Sequence, residues 1–446
     1  MVDTIYALAS GPGRAGVAVI RVSGPQAEAA LGALTGGAVP PPRQAALRRL
    51  RDPHGAVIDQ GLALWFPAPA SFTGEDCAEF HVHGGPAVVA AMADALSRAG
   101  LRPAEAGEFS RRAFANGKMD LTEAEGLADL IDAETEGQRA QALAQMTGAL
   151  KTLYDGWRGQ LITVLAALEG EIDFPDEDDV PDQLGENAGA PLAALAASLD
   201  AHLDDDRRGE RVRDGFVIAL IGAPNAGKSS LLNRLARREA AIVTDVPGTT
   251  RDVVEVRLVL GGFPVILADT AGLREAADQV EAEGVRRALA RAEDADLRLA
   301  LVDVSRETLR PELAEHLREG DAVIWNKADL AAAPGGASGA APQGVAGFAA
   351  SARTGAGFDA LEAWISRVVT ERLSARESPA LSRARHREGV SRALAHLRAA
   401  QDRLSDAPEL ASAEVHLALR ALESLTGRVD VEDVLDRVFS QFCIGK

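Results

Sequence analysis

The sequence predicts a multidomain protein of mixed class, α/β plus α+β, in which an α/β domain is inserted into a helical domain that is split along the chain. Short apolar segments divided by Gly and Pro turns precede residue 118, and Ala/Leu/Glu-rich helical segments follow it. A Gly-rich phosphate-binding motif lies between the two helical parts. Such an insertion is tolerated because chain termini often lie close together. The predicted boundaries are 1–118 for the α+β domain, 119–212 and 375–446 for the helical domain, and 213–374 for the inserted domain.

The N-terminal α+β domain is predicted from the alternation of apolar runs and turns. Its strands are expected at residues 5–8, 17–22, 62–66 and 78–82. A helix is expected at 87–99, ended by Gly100. His81 and His83 lie on one face of the last strand, as a metal site would require. No third ligand cluster is visible and His83-Gly-Gly is typical of a turn, so we expect no metal there.

The helical segments at 121–168, 190–210 and 383–425 most simply form a core, and they imply no cofactor. An acidic loop at 173–179 interrupts them. Within the inserted domain, residues 331–347 are rich in Ala, Gly and Pro, which predicts a surface loop.

Composition excludes several classes of function. The chain has 446 residues, enough for two or three domains, and its net charge of −19 excludes bulk electrostatic attraction to nucleic acid. An RNA partner would therefore need a local basic surface or a second protein. No apolar run reaches the roughly 18–20 residues of a membrane helix, and no signal peptide is visible. Two cysteines without a pairing pattern suit a reducing compartment, so we expect a cytoplasmic protein.

The inserted domain opens with a strand at 216–221, a loop at 222–229 that reads Gly-Ala-Pro-Asn-Ala-Gly-Lys-Ser, and a helix at 229–235. Glycines let backbone N–H groups point at a polyphosphate, and the helix N-terminus adds favourable partial charge. Lys228 would reach the outer phosphates and the Ser229 hydroxyl would bind Mg²⁺. We therefore expect a nucleoside triphosphate, bound by Asn225, Ala226, Gly227, Lys228, Ser229 and Ser230.

A second motif predicts that the base is guanine. Asn326, Lys327, Ala328 and Asp329 follow the apolar run 322–325 and match the Asn-Lys-x-Asp signature of GTPases. The Asp329 carboxylate can accept hydrogen bonds from N1–H and the N2 amine of guanine, and adenine offers no such donor pair. Further along, the sequence Ser351-Ala352-Arg353 resembles the last GTPase motif, in which a backbone N–H meets guanine O6. These motifs predict a Ras-like P-loop GTPase domain with a mostly parallel sheet.

Two more segments complete the GTPase pattern. Asp269, Thr270, Ala271 and Gly272 end the strand at 265–268 and would supply the second carboxylate near Mg²⁺ and a glycine that senses the γ-phosphate. A switch loop with its threonine is expected at Thr244, Asp245, Val246, Pro247, Gly248, Thr249 and Thr250.

Catalysis is expected to differ from that of Ras, because Leu273 stands where Ras-type enzymes carry a water-orienting Gln. One interpretation is a slow switch that needs an external activator. The other starts from Asn225, which together with the switch loop resembles the potassium-activated GTPases, where K⁺ takes the place of an arginine finger. Arg251 and Arg274 are the alternative candidates for stabilising phosphate charge.

Over essentially its full length the chain resembles the MnmE (TrmE) family of bacterial tRNA-modification GTPases. The resemblance rests on several motifs together with the inserted GTPase, namely Asp3-Thr-Ile5, Gly13-Arg-Ala-Gly16, Ile20-Arg-Val-Ser-Gly24, Ser71-Phe-Thr-Gly-Glu-Asp76, His83-Gly-Gly85, Gly107-Glu-Phe-Ser110, Ile172-Asp-Phe-Pro175 and the tail Phe442-Cys-Ile-Gly-Lys446.

The resemblance implies K⁺-activated GTP hydrolysis with Mg²⁺, coupled to addition of an aminomethyl or carboxymethylaminomethyl group at C5 of the wobble uridine of certain tRNAs. It implies an FAD-dependent partner, MnmG, in a heterotetramer that binds tRNA largely through the partner, without a membrane. The N-terminal domain would bind 5,10-methylene-tetrahydrofolate or 5-formyl-tetrahydrofolate and mediate homodimerisation.

The resemblance also implies roles for single residues. Glu281 matches the family's catalytic glutamate, which orients the attacking water through a second water. Mg²⁺ would be held by Ser229 and Thr250, and K⁺ by Asn225, Thr244, Thr249 and the backbone of Val246. Folate-contacting positions would be Arg21, Glu79, Lys118 and Lys446. Without the resemblance these four would be ordinary surface or ion-pairing residues, although a buried carboxylate suits the guanine-like edge of a pterin.

Cys443 and the overall function each leave an alternative open. The Cys443 thiol would act at the modification site or be packed and inert, and its Gly and Lys neighbours do not fit a prenylation box. The alternative function is a regulatory GTPase in ribosome or cofactor assembly. That class typically adds a basic or KH-like RNA-binding segment, and none is evident after residue 375. The acidic composition argues against a membrane-associated switch.

Overall fold

The computed structural model divides by its contacts into two compact units. The first comprises Met1–Ile131, Ala144–Ala196 and Arg392–Lys446, and the second comprises Asp132–Leu143 and Ala197–Ser391. The boundaries expected from the sequence, at residues 118, 212 and 374, stay predictions. The structure describes residues 3–37, 39–173, 184–238, 255–269, 293–305, 308–330, 341–374, 378–429, 432–440, 442 and 444–445.

The described residues form helices in both units. They are α1 (Ala27–Thr35), α2 (Pro86–Arg98), α3 (Glu108–Ala115), α4 (Leu121–Ile131), α5 (Glu136–Met146), α6 (Ala149–Asp173), α7 (Leu184–Leu203), α8 (Arg208–Asp214), α9 (Lys228–Arg238), α10 (Pro311–Ala314), α11 (Phe358–Leu373), α12 (Ala384–Gln401), α13 (Pro408–Thr426) and α14 (Glu432–Phe439). None of the helices in the described ranges is long and apolar enough to cross a membrane.

The first unit begins with a six-stranded sheet in the order β3-β4-β5-β2-β1-β6. Its neighbouring strands are antiparallel, except that β1 and β6 run parallel. The strands are β1 (Ile5–Leu8), β2 (Ala15–Ser23), β3 (Ala46–Arg51), β4 (Val57–Phe66), β5 (Cys77–Gly84) and β6 (Arg102–Pro103).

Alternation along the strands decides which side chains of this sheet are buried. One face packs on α1 and α2 through a core that includes Ile20, Phe80 and Met92. The other face buries Ile5 against Phe109 of α3. The four strands and the helix expected in this domain are confirmed. Strand β3 was not predicted, because three arginines in Ala-Leu-Arg-Arg-Leu-Arg obscure its apolar alternation.

The helical part of the first unit is built around α6 and α13, which pack along each other. Ion pairs between them join residues far apart in sequence: Arg158 Nε lies 2.7 Å from a carboxylate oxygen of Glu423. The helices expected between 121 and 168 and between 383 and 425 are confirmed as α4, α5, α6, α12 and α13.

The C-terminal tail lies beside the first strand of the chain, within the same unit. Ile444 forms an antiparallel bridge with Ala106, and a Cβ on Gly445 would lie 2.2 Å from the Leu8 carbonyl oxygen. The ring of Phe442 lies beside that of Phe439, the last residue of α14, with centroids 5.7 Å apart. Ile444 and Gly445 are therefore anchored on the N-terminal part of the unit.

The second unit contains another six-stranded sheet, in the order β12-β11-β10-β7-β9-β8. Its strands are parallel, except that β8 is antiparallel to β9. They are β7 (Phe216–Gly222), β8 (Glu255–Leu260), β9 (Phe263–Asp269), β10 (Leu297–Asp303), β11 (Ala322–Asn326) and β12 (Ala346–Ala349). The expected parallel α/β domain is confirmed, although β12 begins inside the range 331–347 that was predicted to be a loop.

Both faces of this second sheet are covered, as expected for a largely parallel sheet. On β7, Ile218 and Leu220 face a core shared with α9 and α11, whereas Ala219 and Ile221 face a second core that includes Trp325. The continuous apolar run of β7 in the sequence reflects this burial on both sides.

A buried ion pair joins the amino ends of β10 and β11. The side chains of Arg298 and Asp321 are each only 3% exposed, and their closest charged atoms lie 3.4 Å apart. One Asp321 oxygen accepts the backbone N–H of Arg298 at 2.9 Å, and the other accepts that of Arg318 at 2.7 Å. Asp321 therefore satisfies three donors at once.

Candidate functional site

The phosphate loop, residues 222–229, connects the carboxyl end of β7 to the start of α9. Gly222 and Gly227 have positive φ angles of 152° and 101°. A Cβ at Gly222 would lie 2.4 Å from the Leu301 carbonyl oxygen, so glycine alone permits the close approach of β7 to β10 here. Asn225, at φ 64°, adds a left-handed turn in mid-loop. The loop thus has the backbone that the motif requires.

Lys228 is held inside this loop. The residue is 5% exposed, and its Nζ donates hydrogen bonds to the carbonyl oxygens of Gly222 at 2.7 Å and Ala223 at 3.0 Å. Ser229 and Ser230 follow it in the first turn of α9, and the N-terminus of a helix favours an anion. A buried ammonium, a helix N-terminus and a glycine-lined loop together fit a polyphosphate.

Asn326 links the phosphate loop to the loop at 351–354, which we call the base loop. Its Nδ2 donates to the Ala226 carbonyl oxygen at 2.7 Å, and its Oδ1 accepts the N–H of Ala352 at 3.1 Å. Asn326 is 1% exposed, and a Cβ on Gly227 would come within 2.1 Å of its Nδ2. A single buried amide therefore fixes the spacing between the two loops.

Asp329 lies in a 3₁₀ turn (Ala328–Leu330) next to the base loop. Its Oδ1 accepts the hydroxyl of Ser351, and its Oδ2 accepts two guanidinium N–H groups of Arg353. These hydrogen bonds, from Ser351 first and Arg353 second, hold the pKa of Asp329 below its usual value. The carboxylate expected to read guanine is therefore ionised and oriented, with its Arg353 partner largely exposed.

Lys327 is paired with a carboxylate that the sequence analysis did not single out. Its Nζ lies 2.6 Å from an oxygen of Asp303, the last residue of β10. Burial alone would raise the pKa of Asp303, but hydrogen bonds from Lys327 and Ser305 outweigh it and the pKa is lowered. The sequence signal that could have identified Asp303 was its position at the end of an apolar strand, which runs parallel to β11.

The predicted motifs converge on one edge of the sheet. Gly222, Asp269, Asp303 and Asn326 end the parallel strands β7, β9, β10 and β11, and Asp269 pairs in register with Leu220. Other predicted residues lie outside the described ones: Thr244, Asp245, Val246, Pro247, Gly248, Thr249, Thr250, Arg251, Thr270, Ala271, Gly272, Arg274, Glu281, Cys443 and Lys446.

Two of the folate-contacting candidates meet in the first unit. Arg21 on β2 and Glu79 on β5 are partners in register, and Arg21 Nε lies 2.9 Å from a Glu79 oxygen. The Arg21 guanidinium also lies over the rings of Phe72, at 4.9 Å, and Phe109, at 5.9 Å. His81 binds the other Glu79 oxygen at 3.2 Å. The two phenylalanines were missed by sequence analysis.

Lys118 lies close to the loop that carries Phe72. Its Nζ donates to the Pro69 carbonyl oxygen at 3.0 Å, and its stem lies against Gly74. His83 pairs separately with Asp59 at 2.9 Å. Within the described ranges no group of three or more His, Cys, Asp or Glu side chains is arranged to hold a metal ion.

The sheet order, the phosphate loop and the Asn-Lys-x-Asp turn at the strand ends define a P-loop GTPase domain. Family models extend this to the rest of the chain: the GTP-binding protein TrmE N-terminus matches residues 4–118, and the MnmE helical domain matches residues 121–443. The chain belongs to the MnmE family of tRNA modification GTPases.

Relatives of known function agree over the full length. The chain is 63% identical to the tRNA modification GTPase MnmE of Maricaulis maris, with 100% of both chains covered. It is 58% identical to that of Parvibaculum lavamentivorans and 55% identical to that of Caulobacter vibrioides, again with 100% of both covered. The protein is therefore a GTPase that acts in tRNA modification.

Proposed function

We propose that this GTPase hydrolyses GTP with K⁺ as activating ion, and that hydrolysis is coupled to addition of an aminomethyl or carboxymethylaminomethyl group at C5 of the tRNA wobble uridine. The proposal rests on the extent of the likeness to MnmE, which includes the N-terminal and helical parts of the chain as well as the GTPase domain. That coverage also favours tRNA modification over a role in ribosome or cofactor assembly.

The metal ions are assigned to oxygen donors around the phosphate loop. Mg²⁺ would be held by Ser229 and Thr250 together with the phosphates, and would neutralise charge that develops on them. K⁺ would be held by Asn225, Thr244, Thr249 and the backbone of Val246. Hydroxyl, amide and carbonyl oxygens suit these hard cations, and Asn225 stands at a left-handed turn of the loop, which supports its assignment.

The N-terminal domain is proposed to bind the folate that donates the one-carbon unit. Glu79 offers a mostly buried carboxylate to a pterin edge, and the half-buried ring of Phe72 lies against its partner Arg21. Lys118 and Lys446 would bind the anionic tail of the folate. This donor set fits a flat, hydrogen-bonding ring that carries a negatively charged extension.

The partners of the protein are proposed on the same basis. The N-terminal domain would form a homodimer, and the FAD-dependent MnmG would join it in a heterotetramer that binds tRNA largely through MnmG. A net charge of −19 is consistent with the RNA being bound mainly by another protein. The protein would work in the cytoplasm.

The test is mass spectrometry of tRNA nucleosides from a strain that lacks this gene, complemented with wild type, Lys228→Ala or the surface control Arg367→Ala. We expect the C5-aminomethyl-type uridines to disappear and to be restored by wild type and Arg367→Ala but not by Lys228→Ala, because the ammonium inside the phosphate loop is lost. Unchanged wobble uridines in the deletion strain would contradict the proposal.

In the same assay, full restoration by Cys443→Ser would remove the proposed role of that thiol in modification.

Glu281→Ala is expected to keep GTP affinity and lose most hydrolysis, with turnover falling about a hundredfold or more, because the side chain is proposed to orient the attacking water. Single-turnover hydrolysis and nucleotide titration of the purified full chain would measure both. Near-normal turnover would move the catalytic role to another group, with Arg251 and Arg274 as the candidates to substitute next.

A further inference from the structure

Arg234, on α9, reaches across to the base loop. Its Nη1 lies 3.3 Å from the carbonyl oxygen of Ala352 and 3.5 Å from that of Arg353, and its Nη2 lies 3.4 Å from that of Thr354. Three consecutive carbonyl groups thus face one guanidinium. Although each contact is long for a hydrogen bond, the cation attracts all three dipoles at once.

The surroundings of this guanidinium leave room for it. A Cβ on Gly355, which has a φ of 91°, would lie 1.8 Å from Arg234 Nη2, so glycine at this position leaves space for the arginine. The guanidinium also lies over the ring of Phe358, at 5.2 Å from its centroid. Phe358 is fully buried at the start of α11, so its ring is a fixed surface on which the guanidinium stacks.

The position of Arg234 connects the two ends of the nucleotide site. Helix α9 begins at Lys228 in the phosphate loop, and Arg234 lies less than two turns further along the same helix. Because a trans peptide points its C=O and N–H in opposite directions, holding the Ala352 carbonyl toward Arg234 also fixes the direction of the Arg353 N–H. The arginine thereby sets the orientation of the base loop relative to the phosphate loop.

We propose that Arg234 is a positioning residue for guanine, which acts by holding the base loop in place. The inference rests on the proposed assignment of Asp329 and the base loop to guanine. Arg234 itself would touch neither the base nor the phosphates, so it contributes to nucleotide affinity and not to the chemical step.

The test uses the full-length protein with Arg234→Met, which keeps the length of the side chain and removes its donors, and with Arg234→Lys, which keeps one cationic donor. Arg367→Met, on the exposed face of α11, is the matched control. Calorimetric titration measures the Kd of GDP and of tripolyphosphate, and steady-state kinetics measures kcat and KM for GTP.

We expect Arg234→Met to raise the Kd of GDP and the KM for GTP about fivefold, with kcat and the Kd of tripolyphosphate unchanged. Arg234→Lys should recover part of the affinity. Unchanged GDP affinity in Arg234→Met, or equal weakening of tripolyphosphate, would overturn the inference.

A parallel Asp329→Ala variant separates the two levels of the proposal. If Asp329→Ala binds GDP as tightly as wild type, the assignment of the base site itself is wrong. If Asp329→Ala weakens GDP binding and Arg234→Met does not, only the role of Arg234 fails.

Discussion

Asp329→Asn is expected to change the base preference of the protein from guanine toward xanthine. In the proposed base site the carboxylate would accept from N1–H and the 2-amino group of guanine, whereas an amide would accept one hydrogen bond and point a donor at the other. Xanthine carries a carbonyl in place of the 2-amino group, so it accepts from that donor. Losing one hydrogen bond, and the negative charge that strengthens the other, should weaken GDP binding by about a hundredfold.

The measurement is a pair of titrations, GDP and XDP, on wild type and Asp329→Asn. The substitution keeps the shape of the side chain, and Asn can still accept the Ser351 hydroxyl. Because Arg353 is 75% exposed, loss of its ion pair should change stability little. Equal weakening of GDP and XDP would show that the site had been disordered rather than re-specified.

Asp321→Ala is expected to lower the free energy of unfolding of the GTPase domain by about 3–5 kcal/mol, since it leaves the Arg298 guanidinium buried without its carboxylate. Two backbone N–H groups also lose their acceptor. Hydrogen exchange of the amides in β10 and β11, supported by urea denaturation, would locate and measure the loss in a multidomain chain.

Two further variants make this result specific. Glu371→Ala removes a carboxylate from an exposed pair on α11 and should cost less than about 1 kcal/mol. An Arg298→Met, Asp321→Leu double variant removes both buried charges and should recover part of the stability, although the two backbone N–H groups stay without their acceptor. An Asp321→Ala protein as stable as Glu371→Ala would contradict the structural role given to the buried pair.

The parts of the site that were predictable from sequence are those in which a local motif follows a buried strand. Lys228 and Asn326 could be placed because glycines and apolar runs fix the backbone around them, and parallel strands bring their carboxyl ends to one edge. Side chains that contact residues far away in the sequence gave no such pattern. Arg234 and the base loop are about 120 positions apart, and their contact depends on how α9 packs.

The N-terminal domain shows the same limit. Its strands followed from alternation, yet the grouping of Arg21 and Glu79 depends on the register of β2 against β5, which alternation does not specify. Phe72 and Phe109 come from a loop and a helix on one side of that pair. Nothing in either local sequence distinguishes them from ordinary core residues.

The anchoring of the C-terminal tail beside β1 has a consequence for biosynthesis. Strand β1 leaves the ribosome long before Ile444 and Gly445, which pack against Ala106 and Leu8. The second unit, which ends at Ser391, can condense while the first still waits for its last helices. The second unit therefore has the chance to fold before the first, because closing the first unit requires contacts between residues as far apart as Leu8 and Gly445.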